Sequence, residues 1–434
     1  MGKKIKYLKI IGVFVFISVL IILIVNKNTD INNIFFNNKE GAVIENNYNE
    51  TRNEIEDNNV IELEAEERVE TISVMAIGDL LMHIDIVAAQ YDYQNGIYNF
   101  DDNFKYIKDY INSSDLAIAN LETTLAGEEY GYSGYPCFNT PAELIDSVKK
   151  IGIDVISNMS NHTLDKGEVG FWNTRTTLKE KGVDIIGSRD SESDKRYLIK
   201  NVKDIKLGII CYSYNTEGIN GGRGLNGIPI PDNLMPLMNT FNPYDLENDL
   251  VEMKKQIDLM KEENVDSIIF YMHWGEEYQL EPNESQLKIA EFLANEDVDI
   301  IFGDHPHTIQ PIDIISSSDN DHKTVVFYSL GNFISSQRLE SIGNEYTEDG
   351  VIASVDITKN FKTGEIEIGI PEYLPTWVKL ESYNGHNYYT VVPADNNDAE
   401  YLNSYESERV IQSFNRTTGI VESYTDVADV FSEQ

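Results

Sequence analysis

Six short apolar runs in this chain each hand over to polar residues that can bind metal or move protons. Gly78-Asp79 follows residues 74–77, and Asn120-Leu121-Glu122 follows residues 116–119. Asn158-Met159-Ser160-Asn161-His162 follows residues 155–157, and Met272-His273-Trp274-Gly275-Glu276-Glu277 follows residues 268–271. Gly303-Asp304-His305-Pro306-His307 and Ser329-Leu330-Gly331-Asn332 complete the set. Of the chain's seven histidines, five lie in these clusters or, for His83, just beyond one, which scattered surface histidines would not do. The spacing His305-x-His307 is the strongest single signal. In an extended segment residues i and i+2 point to the same side, so both imidazoles would reach one metal cluster, with Pro306 stiffening the link. His322 and His386 sit in polar loop contexts and take no role. The set offers carboxylates, an amide and imidazoles but no thiolate. That chemistry suits two closely spaced divalent ions such as Mn, Fe or Zn rather than a structural zinc. A carboxylate that bridges two such ions would help them activate water and stabilise charge on an attacked group.

The elements that must position these clusters show in the apolar pattern. From residue 71 onward, strand-like runs (72–77, 116–119, 154–157, 183–186, 206–212, 267–271, 298–302 and 324–328) alternate with amphipathic stretches. Those stretches fall at 104–112, 142–151, 168–181, 244–263 and 284–295. The alternation predicts an α/β domain, and in such sheets ligands sit beyond the carboxyl ends of the strands. Residues 350–392 read as strands joined by turns. The domain is expected over 71–393, followed by an acidic, peripheral extension over 394–434.

The N-terminal residues read differently. Residues 1–9 carry Lys3, Lys4, Lys6 and Lys9, a cytoplasmic basic segment, and residues 10–25 run without a charge. At about 1.5 Å per residue that run reaches ~24 Å, slightly short of a ~30 Å hydrocarbon core, and snorkelling side chains can extend it. No small-x-small cleavage site follows. The run is therefore expected to be an uncleaved transmembrane anchor, with the lysines inside and the rest of the chain outside the cytoplasm. Residues 26–70, rich in asparagine and acid, are expected to be a disordered tether. The formal net charge of 34 − 73 = −39 argues against a nucleic-acid partner, which needs a basic face. Two cysteines, Cys137 and Cys211, are too few for a disulfide framework.

Taken in order, the motifs resemble one known family. They are Gly78-Asp79, Asn120-Leu121-Glu122, Tyr135-Pro136-Cys137-Phe138-Asn139, Asn161-His162-x-x-Asp165, His273-Trp274-Gly275-x-Glu277, Gly303-x-His305-Pro306-His307 and Tyr328-Ser329-Leu330-Gly331-Asn332-Phe333. The chain resembles the CapA family of capsule (poly-γ-glutamate) synthesis proteins, which is similar to calcineurin-like metallophosphoesterases, over about residues 71–393. The resemblance implies a four-layer α/β fold, with two packed β-sheets flanked by helices. It implies Asp79, Glu122, Asn161, His273, His305 and His307 as metal ligands, with Glu122 bridging, and His162 as the acid that protonates a leaving group. The sequence departs from the wider phosphoesterase pattern in two places. Leu81 stands where Asp-x-His would put a histidine, and His83 could supply that ligand from the next turn. Glu122 stands where an aspartate is usual. Tyr135, Phe138, Trp274, Glu277 and Asn332 are candidates for substrate contact.

Three readings follow. The first is a membrane-anchored, metal-dependent hydrolase acting outside the cell on a phosphoester or a γ-glutamyl amide. The second is a non-catalytic binding or assembly subunit that holds an anionic polymer through bound metal, alongside other membrane capsule-synthesis subunits. The third is an extracytoplasmic α/β domain without metal. A chain of this charge repels a polyanion at long range, so bound cations are needed under either of the first two. His162 separates those two, because a binder has little need of a proton donor beside its ligands.

Overall fold

A computed structural model describes residues 68–319, 322–395 and 399–424. The expected cytoplasmic segment and anchor, and the tether up to residue 67, lie outside the described residues. Among the described residues no helix is long and apolar enough to cross a membrane.

The first sheet opens with β1 (Val69–Leu80), β2 (Leu116–Leu121), β3 (Val155–Ser157) and β4 (Asp184–Ile186), which pair in parallel in that order. The second sheet is built from β5 (Leu198–Val202), β6 (Ile205–Tyr214), β7 (Thr240–Phe241), β8 (Ser267–His273), β9 (Ile300–Asp304), β10 (Ile312–Ser316) and β11 (Lys323–Phe327). The chain then returns to the first sheet through β12 (Asn332–Ile334), β13 (Asp349–Asn360), β14 (Ile366–Ile368), β15 (Glu372–Tyr383) and β16 (His386–Pro393). The orders are β16-β15-β13-β1-β2-β3-β4, with β12 against β1 and β14 against β13, and β7-β6-β8-β9-β11-β10, with β5 against β6.

Side-chain alternation along the strands divides the apolar residues between faces. Ile72, Val74 and Ala76 of β1 share one core with Leu207, Ile209 and Cys211 of β6. The opposite set, Ala117 and Ala119 of β2, packs with Leu144, Ile145 and Val148 of α1 (Glu143–Lys150). On the second sheet, Ile210, Tyr212, Phe270 and Met272 pack with Met253, Ile257 and Met260 of α3 (Glu247–Glu262) and with Ile289 and Leu293 of α4 (Glu284–Asn295). A further helix, α2 (Gly167–Lys181), follows β3. Strands such as β8, buried at all seven positions, are sealed on both faces as parallel strands generally are. The Tyr271 hydroxyl donates to the Ile77 carbonyl at 2.7 Å and ties the two sheets together where they carry the site.

Residues expected to be a peripheral extension include α5 (Ser404–Val421), which has a buried face of Val410, Ser413 and Thr417. Arg409 holds both oxygens of buried Glu348 at 2.7 Å, and Arg416 holds Asp349 at 2.7 and 2.9 Å. The helix therefore packs as part of the domain. Its arginines read as solvated in sequence because their partners lie some sixty residues upstream.

Candidate metal centre

The carboxyl ends of β1, β2, β8 and β9 deliver Asp79, Glu122, His273 and Asp304 to one place, and the loop after β9 adds His305 and His307. Three overlapping groups have ligand atoms within 4.8 Å of one another: Glu122, His273 and His305; Asp79, Glu122 and His307; Asp79, His273 and Asp304. All six residues are buried.

Glu122 is common to two groups and faces both. Its Oε1 lies 3.6 Å from His273 Nε2, and its Oε2 lies 3.9 Å from His307 Nδ1. His307 Nδ1 is also 3.0 Å from Asp79 Oδ2. Ligand atoms that each stand ~2.1 Å from one ion are spaced roughly 3 to 4 Å apart, so these separations suit a cation on either side of the carboxylate. Both Glu122 oxygens are buried without a hydrogen-bond partner, as are His305 Nδ1 and Asp304 Oδ2. Unpaired buried acceptors are costly, and this set gathers several of them at one point.

His273 makes the same case by a different route. Its Nδ1 is 2.7 Å from Asp304 Oδ1 and its Nε2 is 2.8 Å from Asn161 Oδ1. The Asn161 amide is oriented by its Nδ2, which donates to Asn226 Oδ1 at 3.1 Å. Burial pushes the His273 imidazole down to about 3, so the ring is neutral and has one proton for two acceptors. A bound cation would offset the burial that favours the neutral Asp304 carboxyl, and with Asp304 ionised the His273 proton sits on Nδ1. Nε2 then presents a lone pair to Asn161 Oδ1 and Glu122 Oε1, a convergence of acceptors that a cation reconciles. In that state Asp304 would orient His273 from behind, as carboxylates do for metal-ligating histidines.

The electrostatics agree. Burial, then the charges of Asp79 and Asp304, holds Glu122 well above the usual carboxylate range. Burial, then Asp79, does the same to Asp304. Burial also opposes ionisation of Asp79, but His307, His273 and Asn120 outweigh it and bring Asp79 below its ordinary value. Burial, then His273 and His307, pushes His305 well down. Among the described residues the ion-pair contacts of Asp79, Glu122 and Asp304 are to histidines and not to lysine or arginine, so divalent ions are the counter-charge this chemistry calls for.

The path of His305 and His307 differs from the extended one expected. β9 ends at Asp304, and both histidines take positive φ, 95° and 57°. Non-glycine residues pay for that region and keep it where the surroundings enforce it. The turn sends the two rings to different groups, with centroids 5.8 Å apart, rather than side by side from one strand face.

Beside the centre, His162 Nδ1 is 2.7 Å from Asp165 Oδ2, which also accepts the Phe138 amide at 2.6 Å. The Phe138 ring meets His162 edge-on at 4.7 Å. Asp165 thus fixes the ring and leaves Nε2 for another partner. His162, His307, Phe138, Tyr135 and Glu277 line a cavity of about 300 Å³. Glu277 also borders a second cavity, of about 630 Å³, which reaches His305.

Three expected roles do not match the placements. His83 is in none of the ligand groups. Its Nδ1 lies 3.2 Å from the Leu81 carbonyl and accepts from the Ser336 amide at 3.4 Å, and the residue lines the smaller cavity. Trp274 is core: it is fully buried and its indole N–H donates to the Tyr328 carbonyl at 2.8 Å. Asn332 is buried in register with Asp79 and donates to the His307 and Thr347 carbonyls at 3.3 and 3.0 Å, so it holds the ligand loop rather than meeting substrate.

The profile of the family "Bacterial capsule synthesis protein PGA_cap" matches residues 73–337, a stretch that contains every residue of this centre. The chain belongs to this family. It is 26% identical over 325 residues to the PGA biosynthesis protein CapA of Bacillus subtilis, covering 72% of this chain and 75% of that one. It is 25% identical over 298 residues to the capsule biosynthesis protein CapA of Bacillus anthracis, covering 67% of this chain and 65% of that one. Among solved structures it is similar to a phosphatase from Mycoplasma pneumoniae, at 16% identity and a TM-score of 0.39, covering 71% of this chain and 94% of the other.

For this PGA_cap member, the sequence motifs include Asp304, Asp165 and Asn120 without giving them a role; Asn120 donates to Asp79 Oδ1 at 3.0 Å. The signal for the first two was adjacency: an acid one residue before His305, and an acid three after His162. Asp304→Asn keeps the shape but removes the charge behind His273. Metal affinity should fall by ~10–100-fold, measured by competition with a chromophoric chelator. An unchanged affinity would remove Asp304 from the centre.

Proposed function

We propose that this chain is a metal-dependent hydrolase of a phosphoester or a γ-glutamyl amide, working in capsule or poly-γ-glutamate synthesis. The observation that carries it is Glu122, which presents one unpaired buried oxygen to each of two imidazole-bearing groups. Asp79, Glu122, Asn161, His273, His305 and His307 would hold two divalent ions, Mn, Fe or Zn. When bound, such ions supply Lewis acidity and stabilise charge on the attacked group. The chain's own residues do the rest. Asp304 and Asn120 orient ligands, the two cavities admit substrate on either side of Glu277, and His162, fixed by Asp165, stands ready to protonate a departing atom.

Anchoring by residues 10–25, an extracytoplasmic domain and association with other membrane capsule-synthesis subunits belong to the same proposal. The anchoring and orientation rest on the lysine cluster and the uncharged run, and the association on membership of the capsule-synthesis family. Protease added to intact, wall-stripped cells should remove the domain, and a soluble cytoplasmic product would refute that part.

The hydrolase reading is tested on the full chain in detergent, supplied with Mn, Fe or Zn and offered phosphomonoesters, phosphodiesters and γ-glutamyl amides. Metal-dependent turnover of one class is expected. No turnover of any, with capsule display intact in a His162→Ala strain, would favour the polymer-binding reading.

A further inference from the structure

The two cavities that meet at Glu277 differ in chemistry. The larger, beside His305, is lined by Glu276, Glu277, Glu284 and Lys288 among others. The smaller, beside His307, mixes Leu81, Phe138 and Ile342 with tyrosine and serine hydroxyls, an amide and three histidines, with Glu277 as its one carboxylate and no lysine or arginine. At its mouth Tyr135 is 78% exposed and Ile342 44%. His162 lines only the smaller of the two.

That position gives the smaller cavity a side of the reaction. In the hydrolysis proposed above, the oxygen of water bonds to phosphorus or to the acyl carbon. The bond to the departing oxygen or nitrogen breaks, its electron pair stays on that atom, and the proton from His162 neutralises it; the proton lost by water then restores His162. The departing half of the substrate therefore occupies the cavity that His162 lines. A carboxylate carried into that space would lose water, find no lysine or arginine among the lining side chains, draw on the His162 proton that the departing atom needs and face Glu277, a costly transfer. An alkyl or aryl group would instead bury apolar surface against Phe138, Leu81 and Tyr278.

We infer that the 300 Å³ cavity selects substrates whose departing group is an uncharged alcohol or amine. This rests on the hydrolase reading and narrows it, since a departing glutamyl unit would bring a carboxylate into that space.

The test uses matched pairs on the full chain loaded with Mn or Zn. One pair is phenyl phosphate and its 3-carboxyphenyl analogue; the other is a γ-glutamyl anilide and its 3-carboxyanilide. A meta carboxylate changes leaving-group acidity little, so the ratio of kcat/KM within a pair reports the cavity. The uncharged member should be favoured by tenfold or more in whichever pair is hydrolysed. Ile342→Lys and, independently, Tyr135→Lys place a cation at the mouth and should each shrink that ratio at least threefold. A wild-type ratio near or below one, or a ratio that neither lysine moves, overturns the inference while leaving hydrolysis standing. No metal-dependent turnover of either pair overturns it together with the reading beneath it.

Discussion

Glu122→Gln should change the sign of its effect on stability with metal. Without metal, the wild-type carboxyl is buried, unpaired and held well above the usual carboxylate range by burial and by Asp79 and Asp304. A group with a raised folded pKa costs stability once pH exceeds its unfolded value, and the cost grows until pH reaches the folded value. The neutral amide escapes it, so the metal-free variant should melt at or above the wild-type temperature at pH 7, and the gap should close as pH falls toward 4. With Mn or Zn at 100 times Kd, wild type gains about 2.7 kcal/mol for each site occupied. The variant, lacking the shared ligand, should gain little and should now melt below wild type. Hydrolysis should drop by ~10³-fold or more, the several kcal/mol that metal charge stabilisation contributes. Equal metal-induced shifts in the two proteins would show that Glu122 is not a ligand.

His162→Ala should separate chemistry from metal binding. Its ring is not part of any of the three ligand groups, so metal content and melting temperature with metal should stay near wild type. What is lost is the proton for the departing atom, worth ~10²–10⁴-fold. The loss should appear in full with an alkyl phosphate or an alkyl amide. It should shrink with a nitrophenyl ester, whose leaving oxygen hardly needs protonation. Asp165→Asn, which disturbs the partner at 2.7 Å, should show the same dependence on leaving group to a smaller degree. A uniform loss across leaving groups would assign His162 to binding rather than to proton transfer.

Much of this site was readable from residue types. Apolar runs of strand length gave β1, β2, β8 and β9, and polar clusters at their carboxyl ends marked the edge where Asp79, Glu122 and His273 converge. Other features depend on three-dimensional partners that spacing does not encode. An isolated acid beside a strand is usually solvated, so Asp304 became meaningful only with His273 at 2.7 Å. The positive φ angles of His305 and His307 carry no glycine to announce them, which is why an extended segment was expected. Trp274 sits in a run of site residues yet points into the core, because alternation puts its neighbours His273 and Gly275 on other paths. The docking of α5 rests on Arg409 finding Glu348, a pairing of residues from distant parts of the chain.

The proposed centre would hold two divalent ions that share Glu122. Elemental analysis of the full-length chain, purified with Mn or Zn and freed of loose metal by gel filtration, tests it most directly. About two equivalents per chain are expected, lowered by His305→Ala and by His307→Ala, and untouched by His322→Ala. Less than one equivalent in wild type, or the same content in all three variants, would contradict it.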